Sequence, residues 1–316
     1  MKSTKDISIV ASHLRAGGLV AFPTETVYGL GGDARDDNAV AAIYAAKGRP
    51  QFNPLIVHVE SFERAKEFGV FNEIAIKLAE SFWPGPLTLV VPRAEGCQIS
   101  LLASAGLDSL AIRVPAHPLA QELLREFGGP LVAPSANPSG QISPTSAQHV
   151  MVGLDGKIDL VLDGGQCSVG LESTIVSCLG ERPIILRHGG LVRADIEAAL
   201  GIEILSGNDD KAALTAPGQL TSHYAPNASM RLNAQSLQAG EALLGFGDVE
   251  SLQAQVSLNL SPLGNVQEAA ANLFSMMRQL DEMGVQKIAV SPIPNQGLGE
   301  AINDRLKRAA APRDRG

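Results

Sequence analysis

The sequence is poor in aromatic residues, in cysteine and in positive charge, and it has no long apolar run. Phe, Tyr and Trp together make up 4% of its 316 residues. A core must therefore be built mainly from Ala, Val, Leu and Ile, and a stacking platform for single-stranded nucleic acid has few rings to draw on. Cys97, Cys167 and Cys178 show no CxxC spacing and no histidine at ligand spacing. That argues against a disulfide framework or a structural zinc site, and it fits a reducing, cytoplasmic setting. Lys+Arg number 25 against Asp+Glu 33, a formal net charge of −8. A protein that coats nucleic acid over its whole surface is not expected from this balance, although a local basic patch is compatible with it. No stretch reaches the roughly eighteen apolar residues of a membrane span, so no membrane partner is expected. Lys2, Lys5 and Asp6 break up the N-terminus, which does not read as a secretory leader.

What is present suits two domains: the length exceeds one average domain, and 45% of the residues are hydrophobic. The polar chemistry concentrates in two stretches. FPTETVYGLGGDA, Phe22 to Ala34, and KGRPQFNPLIVH, Lys47 to His58, flank a helix-like run from Asp37 to Ala46. The first reads as a strand entering a glycine-rich bend. It offers the hydroxyls of Thr24, Thr26 and Tyr28, and Gly29, Gly31 and Gly32 would let backbone N–H groups approach a ligand. The second holds Lys47 and Arg49 two residues apart in a proline-containing loop, a pairing suited to phosphate oxygens. Each stretch alone is as readily a turn or a helix C-terminus complementing its dipole. Together, continued by Asn53, Pro54 and His58, they point to a nucleotide or another polyanion.

Further along, Ser3 to Leu14 reads as an amphipathic helix, and Leu19–Phe22, Leu55–Val59, Leu87–Val91 and Leu110–Val114 read as strands. Arg113 is a charge inside the last of these, either a site residue or a surface arginine on an edge strand. A polar turn at Ser135-Ala136-Asn137, the Ser143 hydroxyl in a helix-opening SPTS, and Glu172-Ser173-Thr174 with Arg187 on two later strands add to the set. Lys47, Arg49, Arg113 and Arg187 make a cationic group in an acidic protein. No SxxK pattern joins Ser135 to Lys47, and His58 is as readily structural as a base. Strands outnumber helices and some connections are hairpin-short, so a mixed sheet with packed helices is expected.

From about Ser206 to Pro226 the texture turns polar and reads as a linker, which carries Ser222, His223 and Tyr224. Beyond it, strands at Ala242–Gly247, Val256–Leu260 and Lys287–Ser291 and helices at Val266–Met283 and Leu298–Ala310 suggest a small α/β domain without GxGxxG or GxxxxGK[ST]. The expected division is 1–205, a linker over the active site at 206–229, and 230–316.

PTETVYGLG, KGRPxxNPLIVH, PSANPSG, SPT, ESTIV and LRHG, in this order, resemble the YrdC-like family of threonylcarbamoyl-AMP synthases. The SHYAP linker and the C-terminal domain resemble the long form of that family, so the resemblance covers nearly the whole chain. It implies a YrdC-like mixed twisted sheet with flanking helices, plus a smaller Rossmann-like α/β domain. It implies a nucleotidyltransferase that turns L-threonine, bicarbonate (or CO2) and ATP into L-threonylcarbamoyl-AMP and pyrophosphate. The product feeds the tRNA-modifying threonylcarbamoyl transferase machinery, with weak tRNA contact possible. Magnesium accompanies the ATP, and no protein side chain is assigned to a metal. By resemblance Thr26, His58, Arg113 and Ser173 hold threonine. Lys47, Arg49, Asn53, Ser135, Asn137, Ser143, Arg187 and Tyr224 hold the nucleotide, and Lys47 and Arg49 also act in catalysis. The linker with His223 and Tyr224 is the expected lid, steered by the C-terminal domain. Two other readings compete: an RNA-binding module of ribosome or tRNA maturation without catalysis, and a carbamoyl-transfer domain acting on another small substrate.

Overall fold

A computed structural model describes residues 1–50, 52–207 and 223–312. Ser222 and most of the expected linker, 208–222, lie outside the described residues. The chain opens with β1 (Lys2–Thr4), α1 (Ile7–Arg15), β2 (Val20–Phe22), β3 (Gly29–Asp33), α2 (Asp37–Lys47), β4 (Ile56–His58), α3 (Phe62–Ala65) and α4 (Glu73–Phe82). Next come β5 (Leu87–Pro92), β6 (Ser109–Arg113), α5 (Pro118–Phe127), β7 (Leu131–Val132), α6 (Ala147–Gly153) and β8 (Leu160–Leu162). β9 (Thr174–Ser177), β10 (Ile184–Arg187), α7 (Arg193–Leu200) and β11 (Leu205–Ser206) complete the first lobe. The second holds β12 (Ser229–Arg231), β13 (Ala242–Gly245), β14 (Ser257–Asn259), α8 (Val266–Glu282), β15 (Lys287–Val290) and α9 (Leu298–Ala310).

Among the described residues the first lobe is one sheet in the order β1-β8-β2-β3-β7-β4-β6-β5-β9-β10-β11. Parallel pairs such as β4 with β6 alternate with antiparallel ones such as β5 with β6, so the sheet is mixed, as the short connections suggested. The second lobe is a parallel sheet, β12-β15-β13-β14, the arrangement expected of a small α/β unit. β2 and β4 are buried along their whole length, which is why they read as short apolar runs. Helix ends follow from local chemistry. The Asp6 side chain accepts from the Ser8 and Ile9 amides at the start of α1, and Gly48 and Gly128 close α2 and α5 in left-handed conformations. α5 buries Ala120, Leu123, Leu124 and Phe127, a helical stripe that packs with Val10 and Leu14 of α1.

Three expectations change. The helix read from Ser3 starts at Ile7 instead, because Asp6 caps it and residues 2–4 pair with β8. The glycine-rich bend is strand β3, paired with β2 and β7; its glycines pack closely, and Gly29 also lines the cleft described below. A Cβ on Gly31 would lie 2.8 Å from the Phe22 ring, and one on Gly29 would lie 3.0 Å from the Ala133 Cβ. β6 lies between β4 and β5, so Arg113 is not on an edge. The helix expected after SPTS is α6, capped by the last residue of that motif, Ser146.

The lobes share apolar contacts. Val27, Ile142 and Leu171 of the first lobe join one buried cluster with Leu273, Phe274 and Ile302 of the second. Gly170 passes so close to α8 that a Cβ there would stand 2.5 Å from the Ala271 Cα.

Candidate active site

A cleft with a cavity volume of about 50 Å³ opens over the first lobe. Its walls come from four places in the chain. The β2–β3 connection brings Thr24 and Thr26, the segment after α2 brings Arg49, β4 and β6 bring His58 and Arg113, and the segments around β9 and β10 bring Glu172, Ser173 and Arg187. Ser135 joins from the turn after β7, and His223 and Tyr224 cover the cleft from the second lobe's side.

β4 and β6 place His58 and Arg113 as direct partners in parallel register. The Arg113 guanidinium donates from Nη1 to Thr26 Oγ1 at 2.9 Å, from Nη2 to Glu25 Oε1 at 2.6 Å and from Nε to Gly85 O at 3.3 Å. It is therefore oriented before any ligand arrives. Burial, then the charge of Arg113, pushes His58 down to about 3, so the ring is neutral at pH 7. Its Nδ1 lies 3.1 Å from Ile56 O. In the neutral ring that nitrogen donates to the carbonyl, leaving Nε2 as an acceptor.

Arg187 holds Ser173 by donating from Nε and Nη2 to its carbonyl at 3.1 and 2.9 Å and from Nη2 to its hydroxyl at 3.1 Å. That hydroxyl is also 2.7 Å from Thr88 Oγ1. Arg49 donates to Asn53 O at 3.3 Å and Pro54 O at 3.1 Å, and burial brings it down to about 10, so it stays charged at pH 7. Among the described lining residues the charged groups are Arg49, Arg113, Arg187 and Glu172. Glu172 is paired: Oε1 accepts from Ser143 Oγ at 2.6 Å, and Oε2 accepts from Arg305 Nε at 2.9 Å. Burial works against its charge, yet Arg305 and Arg187 outweigh it and hold the carboxyl below the usual range. The cleft wall carries more positive than negative charge in an acidic protein.

The structure brings Thr26, Arg49, His58, Arg113, Ser135, Ser173, Arg187 and Tyr224 to its walls. Four expected residues stand behind them. Lys47 is buried and donates from Nζ to the carbonyls of Ser135 and Asn137, while its own carbonyl accepts from Ser139 N at 2.8 Å. Burial, then Arg49 and Lys157, holds its ammonium well below the ordinary lysine value. Asn53 offers its carbonyl to Arg49 and Tyr44, Asn137 donates to Pro138 O and Gln141 O, and Ser143 is spent on Glu172. These four shape the turns that carry the walls. Sequence reasoning missed Glu25 and Arg305. Glu25 lay in plain view inside PTET, but a carboxylate did not suit an anion site. Arg305 had no local signal at all.

A family model described as "Telomere recombination", covering the Sua5, YciO and YrdC proteins, matches residues 12–189. A second, described as "Threonylcarbamoyl-AMP synthase, C-terminal domain", matches residues 191–311. The chain belongs to the long form of the YrdC-like threonylcarbamoyl-AMP synthase family. This membership makes it an enzyme. The threonylcarbamoyl-AMP synthase of Pyrococcus abyssi is 41% identical over 96% of this chain and 94% of its own length. That of Bacillus subtilis is 40% identical over 98% and 95%. The crystal structure of P. abyssi Sua5 complexed with L-threonine superimposes with a TM-score of 0.88 at 40% identity, covering 96% of this chain and 94% of that one. The two models meet at residues 189–191, ahead of α7 and β11, which complete the first lobe's side of the fold. Among the described residues no helix is long and apolar enough to cross a membrane.

Proposed function

We propose that the cleft makes L-threonylcarbamoyl-AMP from L-threonine, bicarbonate or CO2 and ATP, releasing pyrophosphate as a nucleotidyltransferase. The supporting observation is the charge around the cleft: Arg49, Arg113 and Arg187 line it, and with Arg305 they outnumber the two carboxylates beside them, Glu172 and Glu25. Two anionic substrates can meet there without repelling each other. Arg113, preset by Thr26 and Glu25, presents its remaining N–H groups to the threonine carboxylate, a bidentate role suited to the guanidinium fork. His58 Nε2 and the Ser173 hydroxyl complete the threonine side. Arg49, Arg187, Ser135 and Tyr224 take the nucleotide.

The chemistry needs no protein nucleophile. The deprotonated amine of threonine forms an N–C bond to CO2 and gives up a proton, or displaces hydroxide from bicarbonate, which leaves as water with that proton, giving a carbamate in either case. A carbamate oxygen then attacks the α-phosphorus, and the bond to the β-phosphate breaks as pyrophosphate leaves. Positioning and charge stabilisation supply the rate. His58, at about 3, is too weakly basic to take a proton from an ammonium group, which leaves the amine to lose its proton before or during capture of CO2. The His223–Tyr224 cover shields a carbamate that water would destroy. Magnesium belongs to the substrate, carried on the phosphates of ATP. Among the described residues no group of three His, Cys, Asp or Glu is placed to hold a metal. The product would pass to the machinery that modifies tRNA beside the anticodon, in the cytoplasm.

The test is pyrophosphate release from ATP with magnesium, with and without L-threonine and bicarbonate, for the wild type and Arg49→Ala. Release that requires both co-substrates and fails in the variant supports the reading. Release indifferent to threonine in the folded wild type overturns it.

A further inference from the structure

Arg305 is the largest fully buried side chain among the described residues, and it lies where the two lobes meet. It projects from α9, yet most of its partners belong elsewhere. Nε donates to Glu172 Oε2 at 2.9 Å, and Nη2 donates to His188 O at 2.8 Å. Nη1 meets Asp304 Oδ2 at 2.7 Å, and the guanidinium carbon lies 5.3 Å from the centre of the Tyr224 ring. Tyr224 is held by a second helix of the same lobe as well: its ring stacks on Phe274 of α8 at 5.4 Å and 27°. The Arg308 carbonyl of α9 accepts from the His223 amide at 3.2 Å.

Glu172 and Tyr224 both line the cleft. A bare carboxylate there would oppose a triphosphate, and a buried carboxylate without a partner is a costly arrangement. The fold keeps Glu172 because it has two ends to hold, Ser143 on one oxygen and Arg305 on the other. The charge bonded directly to Glu172 comes from a helix of the second lobe, and Arg187 of β10 adds its own from the sheet.

We propose that Arg305 is a positioning residue of the nucleotide site, supplied by the second lobe, which neutralises Glu172 and sets Tyr224 over the cleft so that ATP affinity depends on how that lobe is seated. The proposal rests on the synthase reading for the identity of the nucleotide. It assigns the C-terminal domain a direct part in substrate binding.

The test uses the full-length chain with Arg305→Met, Glu172→Gln and the double variant, varying ATP and threonine separately. Arg305→Met is expected to raise the KM for ATP about tenfold or more while the KM for threonine moves about twofold at most, because an unpaired carboxylate then faces the nucleotide. Adding Glu172→Gln removes that charge and is expected to restore the KM for ATP to within about threefold of wild type, a rescue that lost packing alone does not allow. An unchanged ATP KM in Arg305→Met, or a double variant no better than the single one, overturns the proposal. Should Arg305→Met not fold by thermal melting, the double variant decides: an ATP KM near wild type supports the proposal, and a tenfold rise overturns it. Calorimetric titration with ATP alone makes the same comparison without turnover. A wild type lacking threonine-dependent release therefore defeats the synthase reading, while the role of Arg305 is still decided.

Discussion

Arg113 and Glu25 form an ion pair at 2.6 Å with both side chains buried, 4% and 10% exposed. The second oxygen of Glu25 accepts from the Ala116 amide at 3.1 Å, so the carboxylate is itself pinned to the segment that follows β6. The pair fixes the direction of a guanidinium inside the sheet, at the wall of the cleft.

Arg113→Lys keeps the charge but loses the fork. The KM for threonine should rise by about tenfold to a hundredfold with the KM for ATP little changed, the loss expected of one or two charge-assisted hydrogen bonds. Glu25→Gln should act in the same direction by a smaller factor. Steady-state kinetics with threonine varied measures both, and an unaltered threonine KM in Arg113→Lys would remove it from the carboxylate site.

Lys47 offers a contrasting case. Its ammonium is spent on the carbonyls of Ser135 and Asn137, so Lys47→Met strands two buried acceptors. The expected cost is about 2 kcal/mol or more in unfolding free energy, together with weaker ATP binding as the turn relaxes. Urea denaturation checks the first part. A variant of wild-type stability with abolished turnover would instead mark Lys47 as a direct phosphate contact.

Gly31→Ala sets a methyl group against the Phe22 ring, whose edge in turn faces the His58 ring at 6.0 Å and 90°. Overpacking here should cost about 1–3 kcal/mol, because β3 is held on both sides and cannot shift. The denaturation midpoint reports it, and a midpoint equal to wild type would show that the sheet yields.

The acid side of the stability curve follows from two buried histidines. Burial pushes His58 and His223 each down to about 3. Below the ordinary histidine value of about 6.5 the unfolded chain binds protons that the folded chain refuses, so stability falls as pH drops from there toward 3. Each histidine contributes a slope of up to about 1.4 kcal/mol per pH unit in that window. His58→Gln should flatten the slope by about one histidine's share, whatever it does to the absolute value. Urea midpoints between pH 7 and pH 4.5 give the comparison, and parallel slopes would mean that His58 takes up its proton in the folded state.

How far the sequence reveals this molecule depends on the range of each interaction. Apolar runs such as Val20–Phe22 and capped helices such as α5 carry their own signal over a few residues, and the fold class followed from them. The site motifs were legible as motifs, since PTET, KGR, PSAN and EST converge on one cleft. What they left open was which member of each motif faces the ligand. Lys47 and Arg49 are two residues apart in a cationic loop, yet one supports a turn and the other lines the wall. The glycines of β3 were misread because close packing against Phe22 and Ala133 leaves the same letters as a turn. Arg305 shows the limit most clearly: its partners lie far back in the chain, and α9 reads as an ordinary amphipathic helix.

The separation between Glu172 and Arg305, 133 positions along the chain, has a bearing on biosynthesis. A chain made from its N-terminus forms the eleven-stranded sheet well before α9 has been translated. The cleft then has its walls but not the counter-charge for Glu172 or the seat for Tyr224. On the role proposed for Arg305, the full ATP affinity of this chain arrives with the last helix, and a product cut short before Arg305 is expected to hold the nucleotide more weakly.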